Sequence, residues 1–252
     1  MEWWLYIAIP LSGAVAGFIN TLAGSGSLIT LPLLMLAGLP PTVANGTNRV
    51  AILLQSGVGL GGFQKRGLLD VHDGWKPVIP AVLGAVLGAQ LAVELTEAAM
   101  KAAIAALMIV MLGVILIQPK RWLEGKAAAE RTFGWLQGVA FFGIGVYGGF
   151  IQAGVGVFLL AGLVLAGGYD LVRANAVKLL VVLAFTVVAL VVFVIGGKVD
   201  WPMGLLLAAG NVLGAWIATA TAARRGARFV RWLLIAVVAA AAAKLLYDVA
   251  VG

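Results

Sequence analysis

Long apolar runs recur along this chain, and its charged residues are gathered between them. Ten such segments can be drawn, at about 3–21, 27–39, 48–63, 75–93, 98–117, 133–151, 155–166, 176–195, 203–220 and 229–249. A helix needs roughly 18–20 apolar residues to cross a hydrocarbon core of about 30 Å. Inside that core every backbone N–H and C=O must be bonded within the structure, so only helices and closed barrels can span it. A barrel strand alternates apolar and polar residues, whereas Leu179 to Ile195 is apolar on every face. Composition agrees, with 63% of residues apolar and 11% charged, where a soluble domain has about a quarter charged. The expected fold class is an all-α polytopic membrane protein embedded in a lipid bilayer.

Two of the segments are too short to span. Ser27 to Leu39 reaches about 20 Å as a helix, and Val155 to Ala166 reaches less. Both follow a glycine cluster and precede a polar connection, so they read as interrupted helices. The chain then has either ten spans, or six spans and two re-entrant hairpins. Both give the same sidedness. With alternating crossings, 13 of the 17 Lys and Arg residues fall on one side, among them Lys65, Arg66, Arg121, Arg131, Arg173 and Arg224. Arg49, Lys101, Lys198 and Lys244 fall on the other. Basic residues are enriched in cytoplasmic loops, which puts both termini on the non-cytoplasmic side of the inner membrane. The same placement turns the net charge of +7 into an orientation signal, and no nucleic-acid partner is expected. Met1-Glu2-Trp3-Trp4 carries no Lys or Arg and no small-residue cleavage site, so it reads as the start of a retained first helix. With no Cys, disulfides and thiolate chemistry are excluded.

The chain also repeats itself. Gly17-Phe18-Ile19-Asn20 matches Gly149-Phe150-Ile151-Gln152, and Gly24-x-Gly26 matches Gly154-x-Gly156. Arg49 falls opposite Lys178, and Trp75 with Gly84-x-x-x-Gly88 falls opposite Trp201 with Gly210-x-x-x-Gly214. The offset drifts only from 132 to 126 residues. Five segments per copy is an odd number, so the second copy enters from the opposite face. The expected organisation is a first repeat over 1–117, a cytoplasmic linker over 118–132, and a second, inverted repeat over 133–252. Transporters built this way hold their substrate where the repeats meet.

The candidate chemistry follows from that architecture. Gly24-Ser25-Gly26-Ser27 leads into one short segment, and Gly154-Val155-Gly156-Val157 into the other. A helix that starts inside the membrane exposes its first N–H groups and the positive end of its dipole, which suits an anion. The competing reading is that these glycines only permit close helix packing. Asn45, Asn48 and Arg49 lie at the start of the third segment, and Asn175 and Lys178 at the start of the eighth. Arg offers a fork of donors and Lys a point charge, both fit for an oxyanion. Equally, they could cap helices and snorkel to the headgroups. Asn20, Gln55, Gln152 and Asn211 stand within segments and could line a path or bridge helices.

Other features carry less. Gly57-x-Gly59-x-Gly61-Gly62 lacks the strand and the acidic residue of a dinucleotide loop. The Gly84 and Gly210 motifs read as helix contacts whose exposed faces allow a homodimer without requiring one. His72, between Asp70 and Asp73, reads as solvated. No residue set supports an intramembrane enzyme, and no metal or cofactor is called for.

From Gly17 to Gln55 the chain reads GFINTLAGSGSLITLPLLMLAGLPPTVANGTNRVAILLQ. This resembles the first hallmark block of the sulfite exporter TauE/SafE family, also called the toluene sulfonate uptake permease family. The matching features are the glycine-rich turn, the Leu-Ile-Thr-Leu-Pro helix, Gly-Leu-Pro-Pro and Ala-Asn-Gly-Thr-Asn-Arg. The two-block organisation extends the resemblance over nearly the whole chain. Val157 to Leu165 departs from it by lacking a proline often found after the second glycine cluster. The resemblance implies a membrane transporter of sulfite or organosulfonates, usually an exporter. Its hallmark positions here are Gly24, Gly26, Ser27, Pro32, Asn45, Gly46, Asn48 and Arg49. Other readings are an anion channel of the same fold and a non-transporting scaffold or subunit. Glu94, Glu97 and Asp170 stand at segment margins, so a carboxylate relay at the midplane is not expected. Export driven by the membrane potential fits that pattern. A dianion leaving a cell at ~100 mV gains roughly 4.6 kcal/mol.

Overall fold

A computed structural model describes residues 3–69, 71–117, 133–165 and 167–222. Nine helices account for most of them, and no strand occurs among the described residues: α1 (Leu5–Ala23), α2 (Ser27–Leu36), α3 (Pro41–Gln64), α4 (Val71–Glu94), α5 (Glu97–Ile117), α6 (Trp135–Phe150), α7 (Val155–Leu165), α8 (Leu171–Ile195) and α9 (Trp201–Ala222). The expected segment 229–249, the linker 118–132, and the side chains of Asp70, His72 and Asp73 lie outside what is described.

Four helices among the described residues are long and apolar enough to cross a membrane: α1, α8, α9 and the Gly74–Glu94 part of α4. Their outward faces fit lipid and not water. On α4 the large apolar residues Trp75, Ile79, Leu83, Leu87 and Leu91 are exposed one helical turn apart, alongside the exposed polar residues Lys76, Gln90 and Glu94. Trp4, Trp75, Trp135 and Trp201 sit at or beside helix starts and are exposed, as residues of an aromatic interface belt are. This is an all-helical membrane protein.

The two short segments are helices that fold back. α1 ends at Gly24, whose φ of 77° only glycine adopts without strain. The chain then reverses: Gly26 packs against Ala16, and a Cβ there would lie 2.2 Å from the Ala16 carbonyl oxygen. Leu34, near the end of α2, joins Leu5 and Ile9 of α1 in one apolar cluster. α2 therefore runs antiparallel to α1, and its 10 residues rise only about 15 Å. The second half does the same. Gly154 (φ 74°) turns the chain, and a Cβ on Gly162 of α7 would lie 3.4 Å from the Phe141 ring of α6.

Helices of one half pack on helices of the other through small residues. A Cβ on Gly145 or Gly149 of α6 would fall 2.1 or 2.2 Å from the Ala81 or Ala85 carbonyl of α4. On α1, a Cβ on Gly13 or Gly17 would fall 2.6 or 2.2 Å from the Leu207 or Asn211 carbonyl of α9. In return Gly84 and Gly88 accept the backbone of α6, and Gly210 and Gly214 that of α1. The glycine motifs expected to leave faces free for a second copy are thus covered from within the chain. Backbones this close gain dispersion contacts, which drive helix association where no water is expelled.

α8 runs through the largest apolar cluster. Val177, Val181 and Phe185 pack there with Leu22 of α1, Ala81 of α4 and Leu159 of α7. α3 packs against α8, and together these two central helices carry most of the buried polar side chains among the described residues.

Candidate functional site

The site is assembled from polar groups on α3 and α8 and the broken ends of α1 and α6. Hydropathy places the start of the third segment at residue 48, but α3 begins at Pro41, where proline's missing N–H costs nothing. Thr42, Asn45, Thr47, Asn48 and Arg49 are therefore inside the helix, and all are fully buried. A hydropathy window counts such residues as interface because it cannot register partners across the bundle. The eighth segment is corrected the same way: α8 starts at Leu171, capped by Asp170, whose Oδ1 accepts from Val172 N and Arg173 N at 3.0 Å.

Arg49 holds the end of α6. Its NH1 donates to the Gly148 carbonyl at 3.1 Å and its NH2 to the Gly149 carbonyl at 2.5 Å. The guanidinium also lies over the Phe193 ring, 4.6 Å from its centroid. Asn45 Nδ2 donates to the next carbonyl, Phe150 O, at 2.7 Å. The last carbonyls of a helix lack partners and form the negative end of its dipole, so a cation and an amide suit them.

Lys178 does the same for α1. Its Nζ donates to Asn20 O at 2.9 Å, Thr21 O at 2.8 Å and Asn175 Oδ1 at 2.8 Å. Asn175 Nδ2 in turn donates to Leu171 O at 3.0 Å. All three ammonium protons are used.

Between these cations the two glycine turns meet. Gly156 N donates to Gly24 O at 3.2 Å, and a Cβ on either glycine would sit 2.3 Å from the Cα of the other. The starts of α2 and α7 are thus brought together, backbone against backbone. Beside them Asn48 links α3 to α2: its Oδ1 accepts from the Thr30 hydroxyl at 2.7 Å and its Nδ2 donates to Ser27 Oγ at 3.2 Å. The Ser25 hydroxyl is buried without a partner among the described residues. Gln152 Nε2 donates to Thr186 Oγ1 at 2.7 Å, and the Tyr147 hydroxyl donates to Ala153 O.

A cavity of about 10 Å³ opens at this junction, lined by Asn20, Gly24, Gln152, Gly156 and Lys178 together with Val155, Leu179 and Val182. That is room for about one water. The structure brings five of the residues expected from sequence onto one cavity. Asn175 reaches it through Lys178. Asn45, Asn48, Arg49, Ser27 and Gly154 do not line it, nor do Ser25 and Gly26. Sequence reasoning missed Thr30, Thr186 and the helix-end carbonyls. Thr30 lies in the Leu-Ile-Thr-Leu-Pro block and was within reach. A carbonyl is present at every residue, and no residue type marks one out.

Buried cations on broken helix ends, in a bundle with a lipid-facing exterior, are features of polytopic proteins that handle ions within the membrane. The chain belongs to the sulfite exporter TauE/SafE family, which it matches over residues 9–245. It is 31% identical over 234 residues to "probable membrane transporter protein ORF9" of Sinorhizobium sp., covering 93% of this chain and 89% of that one. It is 30% identical over 235 residues to "probable membrane transporter protein YfcA" of Escherichia coli, covering 93% and 87%. A "probable membrane transporter protein" of Haemophilus influenzae is 29% identical over 238 residues, covering 94% and 92%. No solved structure matches the chain.

Proposed function

We propose that this protein transports a small sulfur oxyanion, sulfite or an organosulfonate, out across the cytoplasmic membrane by alternating access. The observation that carries the reading is the meeting of Gly24 and Gly156 over a cavity lined by Asn20, Gln152 and Lys178. Residues from both halves of the chain contribute to it, as at a site between two inverted repeats. The paired packing of α1 on α9 and α6 on α4, at sequence offsets of 132 and 126, supports repeats over 1–117 and 133–252. Fold-back of α2 and α7 supports six crossings and two hairpins, with both termini outside. A cavity this small favours alternating access over an open pore.

Lys178 supplies the charge at the cavity, with Asn20 and Gln152 as neutral donors. Arg49, Asn45, Asn48, Ser25, Ser27, Gly26, Gly154 and Asn175 hold the surrounding helix ends. The carbonyls that could otherwise coordinate a coupling cation are held by Lys178 and Arg49. That supports export driven by the potential, worth about 2.3 kcal/mol per charge at ~100 mV. The test is current in proteoliposomes with sulfite, sulfate, thiosulfate, sulfoacetate and chloride, and Lys178→Met alongside. A saturable, sulfite-selective current lost in the variant supports the reading. Folded wild-type protein silent to every sulfur anion overturns the substrate, and electroneutral sulfite flux overturns the driving force.

A further inference from the structure

The starts of α2 and α7 occupy matching places in the chain, with Ser25 and Ser27 opposite Val155 and Val157. Their backbone donors are used differently. At α7 three leading N–H groups are bonded: Val155 N to Gln152 O at 3.5 Å, Gly156 N to Gly24 O at 3.2 Å and Val157 N to Gly154 O at 3.0 Å. At α2 the N–H groups of Ser25, Gly26 and Ser27 have no acceptor among the described residues, and no side chain caps the helix. The carbonyls of the same turn are taken. Gly24 O accepts from Gly156 N, Ser25 O from Leu28 N at 3.1 Å and Gly26 O from Ile29 N at 3.0 Å. Ser27 Oγ accepts from Asn48 Nδ2. What stays open at this turn is a set of donors.

Every helix start has free N–H groups, but here a buried side chain joins them. Ser25 is 4% exposed, and its hydroxyl has no partner among the described residues. A serine beside a helix start ordinarily spends its oxygen on a free N–H of the first turn, and Ser25 does not. Buried donors without partners are rare in native interiors and call for an explanation. The matching residue of α7 is the apolar Val155, so a turn of this shape forms without a hydroxyl.

A ligand with negative oxygens supplies the explanation. It would accept from the N–H groups and the hydroxyl, and it would meet the positive end of the α2 dipole. Gly24, the residue before Ser25, lines the cavity. That cavity has room for about one water, so an oxyanion needs the turns to part. The donors left without partners in this conformation are the ones an entering anion can satisfy. We infer that the start of α2 binds the oxygens of the transported anion through the N–H groups of Ser25, Gly26 and Ser27, with the Ser25 hydroxyl as its side-chain ligand. This rests on the transport reading above and locates the anion at one of the two helix starts.

The experiment pairs sulfite flux in proteoliposomes with the melting temperature of the same proteins in detergent without anion. Ser25→Ala should raise the half-saturating sulfite concentration about tenfold, as loss of a hydrogen bond to a charged group does. Without anion it should melt at or above the wild-type temperature, because alanine removes a buried hydroxyl that has no partner. Ser56→Ala is the control. Ser56 is also buried with an unpartnered hydroxyl, but on α3, and its loss should leave the half-saturating concentration unchanged. A Ser25→Ala protein that fails to fold or melts lower has lost a structural hydroxyl, which overturns the site. Unchanged half-saturation, or an equal rise in Ser56→Ala, overturns it as well. Absence of flux with every sulfur anion by folded wild-type protein overturns the transport reading itself, which separates the two failures.

Discussion

Arg49 and Lys178 occupy matching places in the two halves of the chain and perform one structural task with different chemistry. Each reaches from a central helix to the last carbonyls of a broken helix in the other half. Arg49 spreads a planar fork over two carbonyls and is stacked on Phe193, and it does not line the cavity beside Gly24 and Gly156. Lys178 gathers three oxygens around one nitrogen and borders the cavity. A guanidinium is the better fixed strut, and a compact ammonium on a flexible stem is the better movable charge. Both central helices thus place a cation on a helix end, and the two cations differ in whether they border the cavity.

The largest effect expected from this contrast is on stability. Arg49→Ala removes two charge-assisted hydrogen bonds in a fully buried position, each worth about 1.5–3 kcal/mol. A loss of about 3–5 kcal/mol should appear as a lower melting temperature in detergent. Lys178→Ala should cost about 1–2 kcal/mol less, because its space joins a cavity that admits water to the freed carbonyls. Equal losses would break the distinction between strut and movable charge.

Next comes the seam between the halves. Gly24→Ala combines a left-handed backbone with a methyl group pressed onto Gly156. Overpacking costs about 1–3 kcal/mol and the backbone strain about 1–2 more. Gly57→Ala is the control, since its Cβ meets open space. It should melt at or slightly above the wild-type temperature, as alanine favours a helix interior over glycine. If Gly24→Ala is harmless, the contact at the cavity is not a tight seam.

Exchanging the cations gives a smaller effect and a sharper answer. Lys178→Arg keeps the charge but forces a larger group into about 10 Å³ of free space, at a cost of roughly 1–3 kcal/mol. Arg49→Lys keeps the charge and loses one carbonyl of the pair, at about 1–3 kcal/mol. The stability losses should therefore be similar, while sulfite current falls much further in Lys178→Arg. Equal currents in the two variants would make the cations functionally interchangeable.

Much of this arrangement is legible in the sequence because it rests on residue types that are expensive in a membrane. Glycine doublets before short segments mark the turns at Gly24 and Gly154, and the rarity of intramembrane charge marks Arg49 and Lys178. Partners are not legible in the same way. Nothing in the sequence says that Arg49 faces the carbonyls of Gly148 and Gly149, because backbone carbonyls carry no residue label. The Gly84 and Gly210 motifs show the same limit. Their small faces announce a close helix contact, and only the fold reveals that the contact is with α6 and α1 of the same chain. Asn45 to Arg49 misleads for a further reason: polar residues bonded inside a bundle weigh on hydropathy as if they faced water.

The smallest effect concerns the ends of the bundle, where the two central helices differ again. α3 starts after Pro40, which offers no side-chain cap. Its first turn is capped by another helix: Glu97 of α5 accepts from Thr42 N at 2.9 Å and pairs with Lys198 at 3.3 Å. α8 is capped locally by Asp170. Glu97 therefore ties α3, α5 and the turn before α9 together, whereas Asp170, among the described residues, bonds only within its own helix. The Glu97–Lys198 pair is more than a third exposed on the carboxylate side, so its contribution is screened and stays below about 1 kcal/mol. Glu97→Gln keeps an acceptor for Thr42 and drops the charge, and should lower the melting temperature by no more than about 2–4 °C, less at high salt. Turnover is the more telling measurement. If the end of the bundle must part for the cavity to open, Glu97→Gln speeds sulfite flux and Asp170→Asn leaves it unchanged. Equal responses would mean that a clasp between helices and a cap within one are kinetically the same, and that opening does not pass through this end.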